Sequence, residues 1–346
     1  MKKIIINGRF LTQKITGVQR YAREIVLELD NLIKKDEIEI AIPPETVDVP
    51  DYKNIKVVKV GIFHNRLWEH ISFPLYVIKH RGISLNLCNV APLISPGIVC
   101  IHDMKIRAYP EFFSKKFLIW YRLLFFNAIK RAKLIITDSK FSKNEIIKYY
   151  DINPLKIIVI SCAWQHFKRI VYDEKIRNKY NLAKNSYYFA ISSLEPNKNF
   201  KWIAEMSKNN PQEKFVIAGS INEKVFAKGI GFDHPTNMQF IGYVTDEEAK
   251  TLMRDCKAFL FPSIYEGFGI PPLEAISAGA KRIIVSDIPV MHEIFADSVE
   301  YIGKDKIKKG FLLININESE KKDAILKKYD WRKSSIKLKN IFEKVF

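Results

Sequence analysis

Residues 258–279 read AFLFPSIYEGFGIPPLEAISAG. The apolar run Ala258–Phe261 predicts a buried strand. The segment after it carries Gly267 and Gly269, and then two prolines. Pro271 suits the first turn of a helix, because its missing N–H would have no intrahelical partner there. A glycine loop opening into a helix gathers backbone N–H groups and the positive end of the helix dipole, which favours an anion such as a phosphate. Glu266 in the loop and Glu274 in the first helical turn bracket that position. A carboxylate beside an anion site suits a vicinal diol, since each oxygen accepts one hydroxyl hydrogen bond. Phosphate plus diol indicates a nucleotide.

The chain of 346 residues is too long for one ordinary core and suits two domains. Its net charge of +18, from 56 Lys and Arg against 38 Asp and Glu, suits an anionic partner: nucleic acid, an anionic membrane or a phosphorylated substrate. A lysine-rich composition alone accounts for it equally well. Met1-Lys2-Lys3 followed by Ile4–Ile6 reads as a first strand, not as a secretory signal. No window reaches the roughly 20 apolar residues that span a bilayer, so a cytoplasmic protein is expected. Cys88, Cys100, Cys162 and Cys256 show no C-x-x-C pairing and read as free thiols, with neither a disulfide framework nor a metal site.

The α/β rhythm runs from the start. Lys3–Asn7 reads as a strand, the following segment as a loop, and Gly17 as a tight-turn position before a helix with Tyr21, Ile25, Val26 and Leu29 on one face. Strands are expected at Ile38–Ile42 and Ile55–Val60, a helix over Asn65–His80, and a strand Val99–Ile101 that delivers His102 to the end where α/β proteins bind ligands. A satisfied core histidine is the plainer reading of an arbitrary histidine, but the position of this one after a parallel strand favours a functional role. Phe112–Lys133 reads as a long aromatic and basic helix, either of the core or touching an anionic membrane; the strand Leu134–Thr137 directly after it favours the core. Asp138 or Ser139 caps the next helix, and Cys162–Lys184 reads as the interdomain linker. The rhythm then restarts with Tyr187–Ser192, the loop Ser193–Asn199, the strand Lys214–Ala218 ending at Gly219-Ser220, and Gln239–Gly242 followed by Tyr243 and Val244.

Glu266 and Glu274, with seven residues between them, lie inside strand, glycine loop, proline and helix, and the whole phrase resembles the E-x7-E motif of retaining glycosyltransferases of family 4. TGVQRYAREI, IHDMKIRAYPEFF and SSLEPNKNF resemble further segments of that family. The resemblance implies an α/β, GT-B fold: two Rossmann-like doubly wound domains facing each other across a deep cleft. It implies an acceptor-side domain at 1–165, a nucleotide-sugar-binding domain at 166–328 and a helix at 329–346 crossing back to the first. It further implies transfer of a hexose-type sugar from a nucleoside diphosphate sugar to a hydroxyl of a glycan or lipid-linked glycan, in bacterial surface polysaccharide synthesis.

In that reading Glu266, His102 and Lys198 are catalytic: Glu266 positions sugar hydroxyls, His102 meets the transferred sugar, and Lys198 neutralises the diphosphate. Gly17, Ser193, Gly219, Tyr243, Val244, Gly267, Phe268, Gly269, Ile270 and Glu274 bind the donor. The family usually has an arginine near Lys198, where this chain has Asn197 and Ser193. Arg20 is a further phosphate candidate, although a surface ion pair is the commoner fate of a helical arginine, and Glu293 either supports the donor pocket or complements its helix start. No D-x-D sequence occurs, so neither a metal nor another cofactor is expected. Contact with an anionic membrane at the inner face is expected through the first domain, and nucleic acid is not expected as a partner. An NAD-dependent oxidoreductase fits poorly, because GFGIPPL lacks the third glycine and lies near the end of the chain. A nucleic-acid module lacks any accompanying motif. A catalytically silent nucleotide-sugar-binding protein of the same fold is the remaining alternative.

Overall fold

A computed structural model of the chain describes residues 2–193, 195–219, 235–302 and 319–345. The chain divides into unit 1, Met1–Cys162 with Tyr329–Phe346, and unit 2, Ala163–Lys328.

Unit 1 is built on β1 (Ile4–Asn7), β2 (Ile38–Ile42), β3 (Lys56–Lys59), β4 (Ile83–Asn86), β5 (Ile98–Cys100), β6 (Leu134–Thr137) and β7 (Ile157–Val159). All pairs are parallel, in the order β3-β2-β1-β4-β5-β6-β7. Helices cover a parallel sheet on both faces, so its strands read as continuous apolar runs; Ile4, Ile5 and Ile6 of β1 are all buried. The chain runs outward one way from β1 to β2 and β3, and the other way from β4 to β7. The order therefore reverses between β1 and β4, and loops leaving a reversal point part to open a crevice. The main helices are α1 (Gly17–Asp30), α2 (Asn65–Leu67), α3 (Phe73–Lys79), α4 (Lys105–Ala108), α5 (Lys115–Arg131) and α6 (Lys140–Tyr150).

The helix expected over Asn65–His80 runs from Asn65 to Lys79 and carries within it a π-helical turn, Trp68–Ser72, between α2 and α3. Such turns recur at functional sites, because the extra residue redirects side chains. The strand β4 escaped the sequence reading, because Ser84 and Asn86 are polar yet fully buried; Asn86 Nδ2 donates to the Pro96 carbonyl at 2.9 Å. The last helix, Trp331–Val345, packs against α1: Ser335 Oγ donates to the Ile25 carbonyl, and Trp331 lies edge-on to Tyr21.

Unit 2 contains β8 (Tyr187–Ile191), β9 (Lys214–Ala218), β10 (Met238–Gly242), β11 (Ala258–Phe261), β12 (Ile283–Ser286) and β13 (Glu300–Ile302), all parallel, in the order β10-β9-β8-β11-β12-β13. Its reversal point lies between β8 and β11. Helices α7 (Gln165–Lys168), α8 (Lys175–Lys179), α9 (Phe200–Asn209), α10 (Asp246–Asp255), α11 (Ile270–Ala278) and α12 (Pro289–Phe295) surround the sheet. The edge strand β13 is pinned by a buried bidentate pair, Arg282 Nε and Nη2 to Glu300 at 2.8 and 2.7 Å.

The segment expected to be a linker is fastened into unit 2. Lys250 on α10 donates to the Phe167 and Ile170 carbonyls at 2.8 and 2.6 Å, and Tyr172 donates to the Ala278 carbonyl at 3.2 Å. Burying an ammonium requires such acceptors.

Candidate active site

In unit 2 the loops after β8 and β11, the two strands at the reversal point, are stitched together. Asn197 is buried; its carbonyl accepts from the Ile264 N–H at 2.9 Å and its amide donates to the Tyr265 carbonyl at 3.4 Å. The residue standing beside Lys198 is thus a tie between loops. The tie sets the next residue in place: Lys198 Nζ lies 2.6 Å from Glu266 Oε1 and over the Phe261 ring at 5.4 Å. Both side chains are mostly shielded, at 17% and 15% exposure, so this is not a solvent-screened surface pair.

Glu266 leads into Gly267, Phe268, Gly269 and Ile270, all buried. Gly269 caps α11 with φ +98°, a left-handed conformation that L side chains rarely adopt, and a Cβ there would sit 2.8 Å from Met291 Cε. A helix start offers four N–H groups with no intrahelical partner. Here Pro271 and Pro272 remove two of them, which leaves those of Gly269 and Ile270. The anion-binding capacity of this turn is concentrated on two adjacent N–H groups at the loop.

Glu274 Oε1 is 2.7 Å from Nε2 of His166, which is itself buried. His166 lies on α7, 108 positions upstream, and the sequence reading did not single it out. The rest of the expected donor set borders the same strand ends. Ser193 Oγ donates to Glu195 at 3.2 Å, close to Lys198 in sequence. The Gly219 N–H donates to the Gly242 carbonyl at 2.7 Å, joining the ends of β9 and β10, and a Cβ on Gly219 would lie 1.9 Å from the Ser192 carbonyl oxygen. Beyond Gly242, Tyr243 is exposed and Val244 buried. Ser220 lies outside the described residues.

Unit 1 carries a polar cavity of about 280 Å³ at its own reversal point. The segments leaving β1 (Asn7, Arg9, Phe10) and β4 (Leu87, Cys88, Asn89) line it. The start of α1 adds Thr16 and Gln19 beside Gly17, which is exposed. The π-turn supplies Glu69 and His70, and α5 supplies Tyr121. Glu69 accepts from Arg9 at 2.7 Å and from Asn7 at 3.0 Å. Neither ring nitrogen of His70 has a hydrogen-bond partner among the described residues, although both are shielded from solvent. Burial, reinforced by Arg9 and Arg66 and opposed by Glu69, holds this imidazole below the ordinary histidine range, so it is neutral. None of Arg9, Glu69 and His70 was foreseen, because no local pattern marks them.

His102 stands behind the cavity wall. Its Nδ1 is 2.7 Å from Asp138 Oδ2, its Nε2 is 2.9 Å from the Leu87 carbonyl, and its backbone N–H donates to Asn89 Oδ1 at 2.8 Å. Both ring partners are acceptors, so the ring carries both protons. Burial pulls it toward neutrality, but the Asp138 charge and hydrogen bond, with Cys100, outweigh that and hold it well above the usual range. The imidazolium thereby fixes Leu87, the backbone N–H of His102 fixes Asn89, and both ring N–H groups have acceptors inside unit 1. Of the two cap candidates, Ser139 accepts from the Ser142 N–H at 3.0 Å, and Asp138 serves His102 instead. Cys100 joins His102 and Asp138 within 4.8 Å, but the His–Asp contact fills the space an ion would need, and burial raises the Cys100 thiol away from the thiolate form.

The glycosyl transferases group 1 family model matches residues 173–338. The chain carries a group 1 glycosyl transferase domain. That domain includes Lys198, Glu266 and Glu274. The O-antigen chain mannosyltransferase RfbU of Salmonella typhimurium is 28% identical over 218 residues, which cover 62% of this chain and 58% of that protein. The O-antigen chain mannosyltransferase B of Escherichia coli is 25% identical, over 86% of this chain and 85% of its own. Sucrose-phosphate synthase from Thermosynechococcus elongatus superposes with a TM-score of 0.77 at 12% identity, covering 100% of this chain and 99% of that one. The two parallel-sheet, Rossmann-like units are those of the GT-B fold.

Proposed function

We propose that this chain is a retaining glycosyltransferase that moves a hexose from a nucleoside diphosphate sugar to a hydroxyl of a bacterial surface glycan, without a metal ion. The observation that carries the reading is the Lys198–Glu266 contact across the reversal strands, beside a helix start that holds Glu274. The group 1 match and the two O-antigen mannosyltransferases support a hexose and a surface glycan.

Without donor, Lys198 and Glu266 neutralise each other. An arriving diphosphate competes for the ammonium, and the departing charge in the transition state is then met by Lys198 and by the N–H groups of Gly269 and Ile270. Glu266, released from Lys198, accepts hydroxyls of the sugar. Glu274, with one oxygen held by His166, offers the other to the ribose diol. Glu266 is paired with Lys198 and Glu274 with His166, and both lie on one short segment beside the anion site, which suits a transferase better than the facing carboxylates of a retaining hydrolase. This favours front-face attack, with the leaving phosphate accepting the acceptor proton and the anomeric configuration retained. The acceptor sugar occupies the unit 1 cavity, where neutral His70 can donate one hydrogen bond and accept another.

A donor panel tests the reading. Hexose transfer from one nucleoside diphosphate sugar, the product keeping the donor's anomeric configuration by NMR and the rate insensitive to EDTA, is the expected outcome. Nucleotide binding with no turnover for any donor or acceptor would leave a silent binder. Inversion or an EDTA-sensitive rate would remove the corresponding part of the mechanism.

A further inference from the structure

In unit 1 the ends of β4, β5 and β6 are tied in series. These strands lie side by side, and Leu87, His102 and Asp138 stand just beyond their carboxyl ends. His102, in the middle, is held from both sides. From the β6 side, the Asp138 carboxylate accepts the Nδ1 proton at 2.7 Å, and the Ser142 hydroxyl donates to the His102 carbonyl at 2.9 Å. Toward β4, Nε2 donates to the Leu87 carbonyl at 2.9 Å, and the backbone N–H donates to Asn89 Oδ1 at 2.8 Å. Each step therefore uses one bond to the ring and one to the backbone. Tyr21 of α1 packs edge-on to the same ring at 5.0 Å.

Asp138 and Ser142 are buried and lie outside the cavity lining, whereas Leu87 and Asn89 belong to it. The relay begins behind the cavity wall and ends on it. A buried charge pair is a costly way to join strand ends, because apolar residues of similar volume hold such ends together as well or better. Apolar contacts do not fix direction, however. A hydrogen bond sets one donor against one acceptor at a defined distance and angle. The segment fixed in this way, Leu87 to Val90, lines the cavity with all four of its residues. A loop that presents polar groups to a ligand needs such support from behind to hold them in place.

We infer that Asp138 and Ser142 are positioning residues of the unit 1 cavity, which act through His102 to set where the loop from Leu87 to Val90 stands. Their effect on transfer rests on the reading of that cavity as the acceptor site; their effect on the loop does not. Cys88 reports on the loop directly. It lies between Leu87 and Asn89, lines the cavity, and its thiol donates to the Val18 carbonyl at 3.9 Å. Shielding from water pushes this thiol up to about 12, so the reactive thiolate is scarce while the loop stays in place.

Alkylation of the full chain with iodoacetamide, followed cysteine by cysteine by mass spectrometry, tests this without donor or acceptor. Asp138→Ala should speed labelling of Cys88 by about tenfold or more, while Cys256, buried in unit 2, stays protected. Asp138→Asn should recover most of the protection, because its amide can donate to Nδ1 of a neutral ring that keeps the Nε2 proton for Leu87. Labelling of Cys88 at the wild-type rate in Asp138→Ala would overturn the proposal. If that variant exposes Cys256 as well, its fold is lost and Ser142→Ala decides. There Cys88 should react about threefold faster with Cys256 protected, the worth of one neutral hydrogen bond, and an unchanged rate would overturn the proposal. In the transfer assay Asp138→Ala should raise the acceptor KM by about tenfold with the donor KM unchanged. Faster labelling of Cys88 with an unchanged acceptor KM would uphold the positioning of the loop and remove the cavity from the acceptor site.

Discussion

Lys198 Nζ and Glu266 Oε1 lie 2.6 Å apart, on loops that leave adjacent strands β8 and β11 at the reversal point of unit 2. In the proposed mechanism the contact balances a cation that an arriving phosphate would claim and parks a carboxylate that an arriving sugar would claim. Glu266→Gln should therefore leave nucleoside diphosphate affinity equal or slightly higher, because Lys198 is freed. Transfer should fall by about one to two orders of magnitude, the worth of a charged hydrogen bond. Steady-state kinetics alongside diphosphate titration separates the two effects.

In the proposed mechanism His166 acts through Glu274, which it meets at 2.7 Å. His166→Ala should raise the donor KM with little change in kcat, because a ribose contact is made equally in ground and transition states. His166→Gln should recover part of the loss, since its amide can still donate to Glu274. An unchanged KM in the alanine variant would remove His166 from the donor site.

Gly269 is tested through its backbone. Gly269→Ala puts a Cβ at φ +98° against Met291, at a cost of about 1–2 kcal/mol for the left-handed conformation alone. A lower melting temperature and weaker diphosphate binding are expected together, because the displaced N–H groups are those of the proposed anion site.

His102 is protonated in the fold, with a pKa above the ordinary value of 6.5. The folded protein then holds a proton that the unfolded chain releases. Its contribution is complete below the unfolded value and declines as pH rises from about 6.5 through the raised folded value, at up to about 1.4 kcal/mol per pH unit. Denaturant titrations of wild type and His102→Gln across that range should differ in slope, the wild type losing more stability with rising pH. Parallel slopes would contradict a buried imidazolium.

His70 is the acceptor-side test. His70→Ala should raise the acceptor KM by about tenfold while donor binding stays unchanged, because one neutral hydrogen-bonding group is lost from the cavity.

The sequence exposed the Glu266 loop because it is local: an apolar strand, glycines and a helix start follow one another within 22 residues. It showed the parallel α/β rhythm for the same reason. What it hid depends on long-range partners. Ser84 and Asn86 make β4 look like a loop until Pro96 and Asn7 accept and donate across the fold. Glu300 makes β13 look exposed until Arg282 meets it. His166 gains its role only by folding back onto Glu274. The π-turn that aims Glu69 and His70 into the cavity interrupts a pattern that otherwise reads as one helix. His102 was legible as a residue at a strand end. Its commitment to Asp138 and Leu87 was not, because both partners come from other strands.

The central claim is that Lys198 exchanges Glu266 for a donor diphosphate. Calorimetric titration of nucleoside diphosphates into wild type and Lys198→Ala tests it most directly. The account predicts that the variant binds about one to two orders of magnitude more weakly, with the fold intact. Equal affinity in the two proteins would contradict it.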